Sequence, residues 1–118
     1  MNQREKWVNR SRNKGFFRLY SPLNTVRINS GNSLVHEVAK AILCYELRCV
    51  EHDFITEAEG FYFGTPFRCD VVDLTYGLIF EVVFSEKEES ILEKRGRYPL
   101  PIQRVNAREL LKKYGWIL

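Results

Sequence analysis

The stretch that decides the fold is FRCDVVDLTYGLIFEVVF, residues 67–84. Two apolar runs are joined by a short turn at Tyr76 and Gly77, a pattern that predicts a β-hairpin. The first run contains Asp70 and Asp73, and the second contains Glu81. Asp73, three residues after Asp70, is expected on the opposite face in a structural role. An ionised carboxylate in an apolar layer is costly unless something pairs with it. A divalent metal shared by Asp70 and Glu81 is the simplest explanation, so the hairpin predicts metal chemistry.

The two carboxylates can meet only if the hairpin register keeps them on one face of the sheet. A slip of one residue would turn them to opposite sides. Mg²⁺ prefers oxygen ligands and keeps several waters, so two carboxylates and a main-chain carbonyl suffice. The sequence therefore predicts a Mg²⁺ or Mn²⁺ site formed by Asp70, Glu81 and the carbonyl of Val82 or Val83. Glu37 would join it if its helix packs over the sheet.

Outward from the hairpin, apolar residues at helical spacing predict a helix from Leu34 to Cys49, capped at Asn32 or Ser33. Residues 1–15 are polar and basic and are expected to be loose. The other expected elements are one or two short strands in Phe16–Ile28, a strand in Val50–Glu59, a helix at Glu86–Arg95 capped by Ser85, a strand at Pro101–Val105 and a last helix from the Asn106 cap through Lys113.

The predicted order is helix, three strands, helix, strand, helix. A helix between strands predicts a crossover connection, and therefore a central mixed sheet flanked by helices in an α/β fold. At 118 residues and 45% apolar content, the chain has the size of one domain with a real core. We expect a basic N-terminal arm at residues 1–28 and the folded domain at 29–118.

The net charge of +3 is unevenly distributed along the chain. Residues 1–27 carry seven Lys and Arg against Glu5 alone, a net charge of +6, so the rest sums to −3. A basic arm on an acidic-lined core suits a protein that attracts polyanions. The arm residues predicted to contact nucleic acid are Arg10, Arg12, Lys14, Arg18 and Arg27. The alternative is a solvated tail.

The three cysteines form no metal-binding pair and leave an odd number. Cys44, Cys49 and Cys69 are expected to be small buried residues, which favours a reducing cytoplasm. No apolar run approaches the length of a membrane span, and the N-terminus lacks the apolar region of a signal peptide. A viral or mobile-element origin is the alternative to a cellular one.

With these residues in this order, the chain resembles the PD-(D/E)xK superfamily of nucleases, which has a restriction-endonuclease-like αβββαβ core. The resemblance covers about residues 33–105. Arg68-Cys69-Asp70-Val71 is similar to the strand that carries the family's aspartate, and Glu81-Val82-Val83 to its ExK strand. Glu37 matches the glutamate often found on the first helix. The nearest branches are the archaeal Holliday-junction-resolvase-like and the competence-associated nucleases.

One position departs from the family pattern, because Val83 occupies the place of the family lysine. The resemblance implies that the lysine is recruited from the following helix, where Lys94 is the first choice and Lys87 the second. His36 and Lys40, four residues apart on one helical face, are predicted phosphate contacts; solvent-exposed decoration of the helix is the alternative.

The resemblance implies a metal-dependent deoxyribonuclease that cuts branched or otherwise structured DNA. Its catalytic residues would be Glu37, Asp70, Glu81 and Lys94 or Lys87. A homodimer follows from family analogy alone, since one small domain on one strand cannot easily cut both. Two alternatives stay open: a nucleic-acid-binding module of the same fold without catalysis, and a protein-interaction domain whose basic arm pairs with an acidic partner.

Overall fold

A computed structural model describes residues 1–18, 21–84 and 96–116. These residues form three helices and four strands in an α/β arrangement. In chain order the elements are α1 (Gln3–Lys14), α2 (Leu34–Cys49), β1 (Phe54–Tyr62), β2 (Thr65–Asp73), β3 (Leu78–Val83), β4 (Ile102–Asn106) and α3 (Ala107–Lys113).

The four strands form one mixed sheet in the order β1-β2-β3-β4. β1 pairs antiparallel with β2, and β2 with β3, whereas β3 and β4 are parallel. This confirms the predicted α/β class and mixed sheet. The parallel pair is connected by residues 84–101, and the helix predicted at 86–95 lies outside the described residues. The restriction-endonuclease-like core stays a prediction.

The sheet has a buried cluster of apolar side chains on each face. On one face, Phe54, Val71, Phe80 and Val82 pack against the buried sides of α2 and α3. On the other face, the cluster contains side chains from all four strands together with Phe17, before β1. Both faces are therefore covered, which explains why β3 is apolar along nearly its whole length.

Two helix starts follow the predicted capping chemistry. The hydroxyl of Ser33 accepts a hydrogen bond from the backbone N–H of His36, at 3.1 Å. The side-chain oxygen of Asn106 accepts one from the N–H of Glu109, also at 3.1 Å. Each cap satisfies a backbone donor that the first helical turn leaves without a partner.

The N-terminal residues differ from the prediction, because they form α1 instead of a loose arm. The Asn13 side chain of α1 is buried and donates a hydrogen bond to the Leu74 carbonyl, at 2.8 Å. The short strands expected in Phe16–Ile28 are also absent from its described residues, 16–18 and 21–28. There the backbone is joined to β1 by isolated hydrogen bonds, such as that from the Asn24 N–H to the Phe54 carbonyl.

In the β1–β2 hairpin, the alternation of side chains between the two faces of the sheet is interrupted at Glu57 and Asp70. Residues two apart on a strand normally point the same way, yet Cys69 and Val71 belong to the clusters on opposite faces of the sheet. Opposite them on β1, the backbone of Glu57 has φ 48°, a left-handed conformation that residues other than glycine rarely adopt. At this interruption the hairpin places two acids side by side, Glu57 on β1 and Asp70 on β2.

Two of the three cysteines are buried as predicted, Cys44 and Cys69, whereas Cys49 is exposed at the last position of α2. None of the helices in residues 1–18, 21–84 and 96–116 has the length and apolar character needed to cross a bilayer.

Candidate functional site

Asp70 and Glu81 meet at the end of the β2–β3 pairing. The register of β2 and β3 ends with Val71 opposite Phe80, and Asp70 and Glu81 each lie one position beyond this pair. The two carboxyl groups lie within hydrogen-bonding reach of each other. The two acids therefore lie together in the structure, and their binding of a shared metal ion stays a prediction.

Asp70 is held ionised by its neighbours although it is largely buried. Its Oδ2 accepts a hydrogen bond from the Val82 N–H at 2.8 Å and lies 3.3 Å from His36 Nε2. Burial raises the pKa of Asp70, but the hydrogen bonds from His36 and Val82 outweigh burial and bring the pKa below its ordinary value. Asp70 is therefore an oriented, negatively charged oxygen donor.

His36 bridges two carboxylates with its two ring nitrogens. Nδ1 lies 2.7 Å from Glu37 Oε2, and Nε2 lies 3.3 Å from Asp70 Oδ2. Both nitrogens must carry a proton to donate in both directions, so the ring is an imidazolium. The hydrogen bond to Asp70, reinforced by Glu37 and opposed by burial, raises the pKa of His36 to about 9. The ring thus places a positive charge beside Asp70.

Glu37 is saturated with hydrogen bonds from this chain. Its Oε1 accepts from the Asn29 N–H and from Lys40 Nζ, each at 2.6 Å. Its Oε2 accepts from His36 and from Asn32 Nδ2 at 3.2 Å. Burial raises the pKa of Glu37, but these four donors together lower it to about 2. The predicted role in metal binding is corrected here, because Glu37 uses its oxygens to hold His36 and Lys40.

Lys40 is fully buried, which corrects its prediction as a phosphate contact. Its ammonium donates to Glu37 Oε1 at 2.6 Å, to the Arg27 carbonyl at 2.6 Å and to Glu57 Oε1 at 2.9 Å. An ammonium has three N–H donors, and all three are used inside the protein. His36 is likewise committed on both nitrogens, so neither residue is available to a phosphate.

Glu57 belongs to the same network, although the sequence analysis did not select it. It joins Lys40 to the Arg68 guanidinium, whose Nη2 lies 2.8 Å from Glu57 Oε2. The signal was present in the sequence, since Glu57 interrupts an apolar strand just as Asp70 does. The sequence does not show the left-handed φ at Glu57, a residue whose carboxylate contacts Lys40 of α2 in the structure.

These side chains form one continuous polar chain across the fold. Positive and negative groups alternate along it until its end, where Asp70 and Glu81 place two carboxylates side by side. Adjacent like charges favour a shared proton or a cation. The order of the chain is Arg68, Glu57, Lys40, Glu37, His36, Asp70 and Glu81.

The donor atoms at this end are carboxylate oxygens, the type of ligand that Mg²⁺ prefers. In the part of the chain that the structure describes, no three or more His, Cys, Asp or Glu side chains are grouped to hold a metal ion. Mg²⁺ is commonly bound through one or two carboxylates and keeps its waters, which is what Asp70 and Glu81 offer.

The predicted nucleic-acid residues of the N-terminal segment do not act as one free arm. Arg10 Nη1 lies 3.3 Å from Asp53 Oδ2, and Arg18 Nη1 lies 3.2 Å from Glu59 Oε2. The first pair joins the segment to Asp53, the residue before β1, and the second joins it to Glu59 on β1. Arg12 and Arg27 are exposed and Lys14 is half-buried. Lys87 and Lys94 lie outside the described residues, so their predicted role in catalysis stays a prediction.

No protein-family model, curated protein or solved structure matches the chain. The functional argument therefore depends on the geometry of the site.

Proposed function

We propose that the chain is a metal-dependent endonuclease that hydrolyses phosphodiester bonds in DNA, with branched or otherwise structured DNA as its preferred substrate. The observation that carries the proposal is the contact between the carboxyl groups of Asp70 and Glu81 on neighbouring strands. The helix, the three-stranded meander and the parallel fourth strand around them agree in order with the PD-(D/E)xK resemblance.

Asp70 and Glu81 would hold the Mg²⁺ or Mn²⁺ ion, with the Val82 carbonyl as the further ligand predicted from the sequence. The bound ion would polarise the scissile phosphoryl group and lower the pKa of the attacking water. Carboxylates at this position must be ionised and fixed in orientation. The hydrogen bonds that Val82 and His36 donate to Asp70 supply both conditions.

The residues behind the carboxylate pair act as its support. His36 orients Asp70, and Glu37 orients His36. Glu37 is in turn held by Lys40, which also binds Glu57 on β1. Hydrogen-bonded partners behind a ligand typically fix its orientation and contribute to metal affinity. Glu37 and His36 are therefore positioning residues in this proposal.

The residue that stabilises the negative charge of the transition state is Lys94 in this proposal, with Lys87 as the alternative. A lysine near the metal is the usual source of such stabilisation. At the family's lysine position stands Val83, a buried aliphatic residue that cannot supply it. This observation also favours the second candidate function, a nucleic-acid-binding module of the same fold without catalysis. A homodimer would be needed to cut both strands.

The test is a nuclease assay with labelled linear duplex and four-way-junction DNA, with Mg²⁺, with Mn²⁺ and with EDTA. We expect metal-dependent cutting by the natural chain. Asp70→Asn and Glu81→Gln should each reduce it by a factor of about 100 or more, because each removes an ionised ligand that positions the metal and the nucleophile. Glu109→Gln is the matched control, since it removes one exposed carboxylate on α3 and should leave cutting unchanged.

Binding of Mn²⁺ to the same variants, measured by isothermal titration calorimetry, separates the ligand role from a loss of folding. Cutting that persists in both ligand variants would refute the nuclease assignment. Metal-independent DNA binding with no cutting by the natural chain would replace it with the binding module.

A further inference from the structure

Several basic residues of the N-terminal segment form ion pairs with carboxylates of the same chain. Another surface is therefore needed to bind DNA. Besides Arg10 and Arg18, Lys6 of α1 forms an ion pair of 3.2 Å with Glu51. Each of these pairs places a carboxylate against the cation that was predicted to attract phosphate. The positive potential of this segment is therefore weaker than the sequence suggests.

A second basic region lies at the other end of the chain. Residues 96–116 carry five Lys and Arg and only Glu109 as an acid, a net charge of +4. Four of these cations are exposed on β4 and α3: Arg104, Arg108, Lys112 and Lys113. Lys113 pairs with Glu46 at 2.6 Å, so we call the other two on α3, Arg108 and Lys112, the C-terminal basic face. Arg108 and Lys112 are four residues apart on α3, so they lie on the same side of that helix.

The C-terminal basic face adjoins the carboxylate pair. In the parallel pairing of β3 with β4, Arg104 is the register partner of Glu81. Register partners on neighbouring strands point to the same side of a sheet. Arg104 and Glu81 therefore share the side of the sheet that carries Ile79 and Ile102, whereas α3 packs on the opposite side. The C-terminal basic face adjoins the carboxylate pair through α2, because α3 packs with α2 on one side of the sheet and His36 Nε2 of α2 lies 3.3 Å from Asp70 Oδ2.

Arg108 is held in place by an aromatic ring. Its Cζ lies 4.3 Å from the centre of the Phe84 ring. Phe84 comes directly after β3 and only three residues beyond Glu81, and its ring is partly exposed. When a guanidinium stacks on an aromatic ring, its N–H groups point outward in the plane of the guanidinium. There they can donate hydrogen bonds to an anion beside the ring.

We infer that the C-terminal basic face is the surface that binds the phosphate backbone of DNA and leads it to the Asp70–Glu81 pair. The inference rests on the proposed function and names a contact surface that the N-terminal arm was expected to supply. Arginine donates in pairs to phosphate oxygens, and these contacts fix the position of the strand independently of its sequence.

The experiment measures binding of a short fluorescein-labelled DNA duplex by anisotropy, in EDTA so that no cutting occurs. The affinity is recorded over a series of salt concentrations. For the double variant R108A/K112A we expect at least about tenfold weaker binding near 0.1 M salt, and a log–log salt slope reduced by about 1.8, since each phosphate contact contributes about 0.9.

Two further variants separate a specific surface from general attraction by charge. R4A/R12A removes the same number of charges from exposed positions on α1 and should leave affinity and slope nearly unchanged. Phe84→Leu keeps the net charge but removes the ring under Arg108, and should weaken binding several-fold. A circular dichroism spectrum and an unfolding curve for each variant verify that it folds.

The outcomes distinguish the surface from the function. If R4A/R12A weakens binding as much as R108A/K112A does, the surface is wrong even when the natural chain cuts DNA. If cutting fails in the assay with metal but R108A/K112A and Phe84→Leu lose DNA binding, the surface stands and the nuclease assignment falls. Equally tight binding of a labelled poly-glutamate peptide, lost in the same variants, would overturn the inference in favour of an acidic protein partner.

Discussion

Lys40 Nζ lies 2.9 Å from Glu57 Oε1 in the interior of the protein, which joins α2 to β1 across 17 residues of sequence. Both side chains are almost completely buried, and the same ammonium also binds Glu37. Buried charges are tolerated only when they are paired and their hydrogen bonds are satisfied. This ion pair therefore links the helix that carries His36 to the strand beside Asp70, and it should be costly to break.

Lys40→Met tests this cost. The change keeps the length of the side chain but leaves Glu37 and Glu57 without their buried cation, so we expect unfolding free energy to fall by about 3–5 kcal/mol. Urea denaturation followed by circular dichroism measures the effect. Lys112→Met, at an exposed position on α3, is the control and should change stability by less than about 0.5 kcal/mol. Combined with Glu57→Gln, Lys40→Met should cost less than the two separate losses together, by about 1–3 kcal/mol. Simple additivity would contradict the coupling.

Asn13→Ala tests whether α1 is docked on the domain. The substitution removes the hydrogen bond from Asn13 to the buried Leu74 carbonyl, and an acceptor left without its partner costs about 1–3 kcal/mol. We expect lower stability together with faster trypsin cleavage within residues 1–18. Ser11→Ala, at an exposed site two residues earlier, should do neither. Equal cleavage rates in the natural chain and in Asn13→Ala would mean that α1 is loose, as the sequence had suggested.

Gly60→Ala should destabilise the β1–β2 hairpin. A Cβ at this position would lie 2.6 Å from the Phe16 carbonyl oxygen and 2.7 Å from Phe67 Cζ, so backbone and core must move apart. Overpacking of this kind costs about 1–3 kcal/mol. Gly96→Ala offers the matched comparison, because no atom lies within 4 Å of the added Cβ. Thermal denaturation of both variants measures the difference, and similar melting temperatures would contradict the packing.

The reactivity of the thiols should follow their burial. Burial raises the pKa of Cys44 to about 12 and also raises that of Cys69, whereas Cys49 is exposed. The thiolate is the reactive form. We therefore expect a thiol reagent to modify Cys49 alone in the native protein and all three cysteines after unfolding. Cys49→Ser should abolish the native reaction, and rapid modification of that variant would show that the described core opens.

Mg²⁺ should stabilise the natural chain against heat. A ligand that binds only the folded state at 100 times its dissociation constant adds about 2.7 kcal/mol. Asp70→Asn should lose this stabilisation, whereas the Glu109→Gln control should keep it. A scanning fluorimetry titration with Mg²⁺, with Ca²⁺ for comparison, measures the shift. An identical response of the natural chain and Asp70→Asn would exclude Asp70 as a ligand.

The part of the site that could be predicted from the sequence lies within one hairpin. Asp70 and Glu81 are eleven residues apart, and the turn at Gly77 sets the register of β2 and β3, whose last pair lies one position from each of them. Alternation of apolar residues and the position of the turn are local features, so they determine this pair. The caps at Ser33 and Asn106 are local for the same reason, since each side chain bonds to a backbone N–H three residues away.

The roles of Glu37, Lys40 and Glu57 were outside the reach of the same argument. Surface exposure of Lys40 was the natural expectation for a lysine, but α2 packs so that this position meets β1 and not solvent. The Arg10–Asp53 pair likewise joins positions 43 residues apart. No local pattern encodes which of several acids a distant cation will meet.

The amino-acid sequence by itself determined the order of most elements, the mixed sheet and the proximity of Asp70 and Glu81, because short-range periodicity, caps and turn chemistry decide these features. Only the tertiary structure decided that Lys40 is buried, that Glu57 joins the network and that Arg104 lies beside Glu81. The physical reason is that the packing of α2 on the sheet and the parallel return of β4 bring together charges that are far apart in the chain.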